Sequence, residues 1–264
     1  MLDIYRQMFK IEFAVRAQYR ASLVLWLLGM VTEPVVYLTV WENITAAQGG
    51  SVGTYTAGGF AAYYIALMFV RQATAAPGPN GMESRIRGGE LSGLLLRPLH
   101  PIHGDIADNL ARKVWTTLLL IPISLTLIVL FSAEFQPIFW SLAAFVPVLL
   151  LSSFLRFFIH WAIGLSAFWT TRMSSLFSMY VVAQVFFAGR LAPLDLMPQP
   201  IQAIASVLPF RWVEPFAIDV VLGRLTPDQV LQGCVVQLLW IGAMLLLLQG
   251  LWVMGLKQFS AVGA

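Results

Sequence analysis

The sequence predicts an all-α integral membrane protein with six transmembrane helices. An interfacial helix stands at the N-terminus, a helical loop lies on the cytoplasmic side, and short re-entrant outer helices precede the last span. Three observations carry this. The chain is 59% hydrophobic and 11% charged, whereas soluble domains hold about 25% charged residues. Its apolar residues gather into six separated runs, on the scale of the roughly 20 residues that a spanning helix needs. Its Lys and Arg residues fall mainly on one side of those runs, the pattern of cytoplasmic loops. A mean hydropathy of +0.78 and nine Trp agree, since a soluble globule of this size would lack the polar residues to cover itself.

Residues 1–20 come first. Ile4, Met8, Ile11, Val15 and Tyr19 recur at helical spacing, with Arg6, Lys10 and Arg20 elsewhere on the wheel. This predicts an amphipathic helix lying in the inner interface; a cytosolic extension of the first span is the competing reading. Asp3, Glu12 and basic residues spread along the length do not make a signal peptide. The expected spans are Leu23–Trp41, Phe60–Ala76, Val114–Phe131, Ile138–Phe168, Ser175–Ala188 and Val230–Leu256. The fourth would extend about 46 Å at about 1.5 Å per residue, more than a hydrocarbon core of about 30 Å. It must tilt, bend at Pro147, or project into the cytosol. The fifth is short, and the Arg172–Met173–Ser174 turn before it is expected slightly inside the membrane plane.

Orientation follows from the basic residues. With both termini cytoplasmic, the inner segments hold eleven: Arg6, Lys10, Arg16, Arg20, Arg85, Arg87, Arg97, Arg112, Lys113, Arg172 and Lys257. The outer segments hold three, Arg190, Arg211 and Arg224, and Arg71 and Arg156 fall within spans. Residues 82–112 then form a cytoplasmic loop, and 191–228 an outer segment rich in proline. Between those prolines lie two apolar runs, Ile201–Leu208 and Trp212–Leu222, too short to span and too apolar for a free loop. Short helices dipping into the outer leaflet are expected, because backbone at that depth must be covered by protein. Thr226 and Pro227 read as the N-cap and first turn of the last helix.

The chemistry of common sites is missing from the sequence. There is no G-x-x-x-x-G-K-[ST], G-x-S-x-G or H-E-x-x-H, so neither a phosphate-cradling loop nor a catalytic residue is expected. His100 and His103 are three apart, but Pro101 between them speaks against a helical metal site, and no metal is expected. Cys234 stands alone and reads as a packed small residue. Basic residues track one membrane side, not a groove with interleaved aromatics, which excludes nucleic acid as a partner. Charges inside spans are costly and are functional candidates. They are Glu33, Arg71, Arg156 and His160, the last two one turn apart on one face. Each is expected to line a substrate pathway or polar interior; against this, the arginines could snorkel to the inner interface. Gln184, Gln237 and Gln249 read as interhelical hydrogen bonders.

The stretches "IRGGELSGLLLRPLHP" at 86–101 and "GRLAPLDLMP…LPFRW…VLGRL" from Gly189 onward, set in this topology, make the chain resemble the six-helix permease subunit of type-2 ABC exporters. Within that group it is similar to a bacterial branch. The resemblance spans nearly the whole chain. It departs at "APGPNG", Ala76–Gly81, where the family runs a more continuous helix. The resemblance implies a bacterial inner (plasma) membrane location, two ABC ATPase subunits, and pairing with a second six-helix permease, either a different chain or a second copy. Membrane lipid is a further partner, and this chain is expected to bind no cofactor, with ATP and Mg held by the ATPase partner. The family's coupling helix falls in the loop after the second span. Its ATPase-coupling residues here would be Glu83, Arg85, Ile86, Arg87, Gly89, Glu90, Leu91 and Arg97. Charges Glu83, Arg87 and Glu90 would face the motor, Ile86 and Leu94 the permease, with a tight turn at Gly88–Gly89 and "RPLHP" as an extended return.

The expected function is therefore transport without covalent chemistry. Few charges in the spans suit a hydrophobic or amphipathic cargo, and equally suit lipid-facing surface. Two other classes compete. A secondary transporter would need no ATPase, but no internal repeat is visible. A membrane anchor or sensor would tolerate charge changes in Glu83–Leu96.

Overall fold

The computed structural model describes residues 2–18, 20–136 and 138–259. Helix α1 (Leu2–Gln18) is followed by α2 (Arg20–Ala47), a two-residue-per-strand hairpin of β1 (Ser51–Val52) and β2 (Tyr55–Thr56), and α3 (Ala57–Ala73). Two short helices, α4 (Asn80–Arg87) and α5 (Glu90–Leu95), lead into α6 (Pro101–Leu130). Then come α7 (Phe139–Leu165) with a single 3-10 turn at Ser166–Phe168, α8 (Met173–Phe187), three short helices α9 (Gln199–Val207), α10 (Pro209–Val213) and α11 (Pro215–Val221), and the long α12 (Pro227–Gln258).

Among the described residues, three helical stretches are long and apolar enough to cross a membrane: Pro101–Leu130, Phe139–Phe168 and Pro227–Gln258. The expected count of six is not reached on that criterion. α3 and α8 have 17 and 15 residues, short of the roughly 20 that a bilayer core requires. α2 contains the first expected span. The fourth span runs as one helix through Pro147.

Several boundaries differ from expectation for identifiable reasons. α3 ends at Ala73, before the "APGPNG" stretch, where Pro77 and Pro79 cannot continue a helix. The coupling segment Glu83–Leu96 is two helices that part at the expected Gly88–Gly89 turn, where Gly89 adopts a left-handed φ of +78°. The return at 97–100 is a bend, not an extended strand, and α6 starts directly at Pro101 with His100 as its N-cap. Burial, with His103 beside it, pushes His100 below the ordinary imidazole range. Its neutral Nδ1 accepts from the Ile102 N–H at 3.3 Å. The turn before α8 ends at Arg172, with Met173 and Ser174 already helical. The apolar run Trp212–Leu222 splits at Pro215, so Glu214 lies at a helix break. At the start of α12 the expected cap is present: Thr226 Oγ1 accepts from Gln229 N–H, and the Gln229 side chain accepts from the Thr226 N–H.

α1 lies along α6. Trp115 donates to the Phe13 carbonyl at 3.2 Å, and the two rings stack. Ile11, expected on the apolar face, is exposed; the side chains of Ile4, Val15 and Tyr19 lie outside the described residues. α3 is the most enclosed helix, packed among α2, α6, α7 and α11. Its Tyr63 and Tyr64 hydroxyls donate to the carbonyls of Gly189 and Leu191. That ties α3 to the turn after α8.

Candidate functional site

Two regions draw together most of the polar chemistry. The first is the broken end of α3. Helix ends leave carbonyls without partners, and here side chains from α6 and α7 supply them. Arg156 Nη1 donates to Arg71 O at 3.1 Å, Ser153 Oγ to Ala73 O at 3.1 Å, and Asn109 Nδ2 to Ala75 O at 3.0 Å. His160 Nδ1 lies 3.0 Å from Pro77 O. Arg156 and His160 do share a face, as their spacing predicted, and that face serves residues 71–77.

Arg156 does not snorkel to an interface. It is 7% exposed and makes a 2.7 Å ion pair with Glu214, which is 0% exposed. Glu214 is reached from its other side by Arg190, 4% exposed. Arg190 Nη2 and Nε donate to the two carboxylate oxygens at 2.8 and 3.0 Å, a bidentate fork. Arg190 Nη2 also donates to Gln184 Oε1 at 2.7 Å. Two guanidinium groups thus enclose one carboxylate. The surplus positive charge lies against the C-terminal carbonyls of α3 and the Thr74 hydroxyl, 3.1 Å from Arg156 Nη1. A helix C-terminus carries partial negative charge, so the surplus is placed where it costs least. Arg156 is 17 residues along α7 from Phe139, about 26 Å at about 1.5 Å per residue. The segment carrying Glu214 therefore reaches far along the bundle from Gly223, which lies beside Gln136 and Ile138 at the start of α7.

Sequence reasoning missed Glu214 and counted Arg190 as a loop charge. The available signal was their setting: both are ionisable residues in apolar, proline-punctuated runs. Gln237 bridges helices as expected, donating to Ser152 Oγ at 2.9 Å and Trp212 O at 2.8 Å. Gln184 joins Arg190 and Tyr180, and Gln249 is exposed.

Glu33 and Arg71 form a pair of their own at 2.6 Å, both partly exposed. They line a cavity of about 330 Å³ between α2 and α3 with Tyr37, Tyr64, Met68 and Gln72.

The second region is the α4–α5 pair, where the eight expected coupling residues divide into two groups. Ile86 and Leu91 are buried against α7 and the turn after it. Arg85 Nη1 donates to both Asp105 oxygens at 2.7 and 2.9 Å, and Trp161 Nε1 donates to the same carboxylate at 2.9 Å. These residues, with the turn at Gly89, anchor the pair to α6 and α7. Glu83 and Arg87 pair at 3.3 Å, and Arg87 Nη2 donates to Thr170 O at 3.2 Å. Glu90 and Arg97 are exposed. Beside them stand Leu95 and Leu96, the latter 89% exposed, which the sequence reading did not single out.

Among the described residues, no group of three or more His, Cys, Asp or Glu is placed to hold a metal. No curated protein and no solved structure matches the chain. A family model described as "ABC-2 family transporter protein" matches residues 30–263, nearly the whole chain and every element from α3 onward. The resemblance seen in the sequence is thereby met, and the protein belongs to the ABC-2 transporter family as a multi-pass membrane permease component.

Proposed function

We propose that this permease is the membrane half of an ATP-driven exporter or flippase of the bacterial inner membrane. Two separate ABC ATPase subunits drive it, and a second permease completes the pathway. It crosses the membrane six times, through α2, α3, α6, α7, α8 and α12, with both termini in the cytoplasm. The exposed end of α4–α5 is the motor contact. What supports this is the division of labour there. Arg85, Ile86 and Leu91 clamp the pair onto α6 and α7, so a push on its tip is transmitted to two long helices. The tip itself presents Glu90, Leu95, Leu96 and Arg97, apolar side chains ringed by charge, as interface cores are. The Glu33–Arg71 cavity lies between α2 and α3 and suits the pathway shared with the second permease.

The experiment is co-purification with the co-expressed ATPase. The Glu90→Arg, Leu96→Asp double variant is expected to lose at least about tenfold in ATPase recovered per permease, with permease yield unchanged, since an unpaired charge at a docked surface costs a few kcal/mol. Normal assembly and normal transport-coupled hydrolysis would reduce the segment to a positively charged topology anchor. Orientation is checked separately. Cysteines at Ser51 and Gln199 should react with an impermeant reagent on intact cells, and Gly93→Cys should not; labelling at Gly93 alone inverts the topology.

A further inference from the structure

Between α6 and α7 runs an apolar groove of about 370 Å³, open along one side. Leu110, Val114, Leu118, Leu150 and Phe154 line it, and Lys113 stands in its wall. The cations around it are matched. Arg112 pairs with Asp108, Arg85 with Asp105, and Arg156 with Glu214. Lys113 is not: its ammonium donates to Ser153 Oγ at 2.7 Å. The Ser153 proton is already given to Ala73 O. Among the described residues no carboxylate lies within ion-pair distance of Lys113. An ammonium carries three donors, so two remain in a groove whose other walls are mostly hydrocarbon. A cation placed so is costly unless an anion meets it, and an anion that did would hold it charged.

We propose that this groove is a binding site for an anionic membrane phospholipid, one acyl chain lying along Leu110, Val114 and Leu118 and the phosphate on Lys113. The charge selects the class: a zwitterionic headgroup would bring its own ammonium beside Lys113, and a neutral acyl chain would leave Lys113 unmatched. The inference requires a membrane location but not the transport reading, and its test uses no ATPase.

The test is native mass spectrometry of the purified permease titrated with phosphatidylglycerol or with phosphatidylcholine of the same acyl chains. One phosphatidylglycerol is expected to bind more tightly than phosphatidylcholine. Lys113→Met should weaken phosphatidylglycerol about tenfold, the scale of a lost hydrogen bond to a charged group, and leave phosphatidylcholine unchanged. Lys113→Arg should retain the preference, and Val114→Trp, which fills the groove, should weaken both lipids. Soluble glycerol phosphate should not compete. The proposal is overturned if Lys113→Met keeps the wild-type preference, if phosphatidylcholine binds the wild type equally, or if glycerol phosphate displaces the lipid. It is overturned as well if Val114→Trp changes the oligomeric state and not lipid retention, which would mean that protein covers the groove.

Discussion

Replacing Glu214 with alanine is expected to remove most of the folded protein. Its carboxylate accepts three hydrogen bonds from Arg156 and Arg190 in a site closed to solvent. Without it two guanidinium groups remain buried with no counter-charge. Removing one partner of a buried ion pair costs about 3–5 kcal/mol, and here one residue serves two partners. Glu214→Gln keeps an acceptor but no charge and should be less severe. Arg156→Met should be milder again, because Glu214 keeps its fork with Arg190 and a net-neutral pair remains. The order Glu214→Ala, then Glu214→Gln, then Arg156→Met is read from the monodisperse fraction in detergent and from Tm. Wild-type yield and Tm in Glu214→Ala would show that the three groups are not coupled as described. A cycle over Arg156→Met and Glu214→Gln should return an interaction on the order of 1–3 kcal/mol.

The second large effect is expected at Gly189. This residue has φ +66°, and a Cβ built on it would lie 2.3 Å from the Tyr63 hydroxyl. That hydroxyl donates to the carbonyl of Gly189 itself. Alanine therefore adds left-handed backbone strain of about 1–2 kcal/mol. It also drives off the hydroxyl that holds α3 to the end of α8, in a core that cannot open to receive it. Overpacking of this kind costs about 1–3 kcal/mol more. Arg190 is the next residue, so displacement of the turn would also loosen its fork on Glu214. Gly189→Ala should lower Tm by several degrees. Gly78→Ala, where the added methyl meets nothing within 4 Å, should leave Tm near wild type. Tyr63→Phe supplies the check on cause: it removes the hydroxyl, so Gly189→Ala should cost less in that background. Additive effects would refute the collision.

Much of the architecture was legible because it is written locally. The break at Gly88–Gly89, the cap at Thr226 and the helical character of the apolar runs depend on residues within a turn or two of each other. The coupling segment was legible in outline. Its division was not, because Arg85 and Arg87 look alike in sequence, yet Arg85 is held by Asp105, twenty positions away, whose carboxylate Trp161 also holds. The single apolar run Trp212–Leu222 was misread for a local reason: Pro215 ends a helix even where hydrophobicity continues.

By itself the sequence determined that the chain lives in a membrane, which segments are helical, and where the proline-rich insertion begins. Composition and periodicity set these, and both are properties of short windows. Only the tertiary structure decided which charges neutralise one another. Arg156 meets Glu214 across 58 positions, and Lys113 meets no acid among the described residues. The cost of burying a charge depends on what stands within a few ångströms of it. Distance along the chain carries almost no information about that neighbour, so the buried triad and the unmatched lysine became visible only when the helices were packed together.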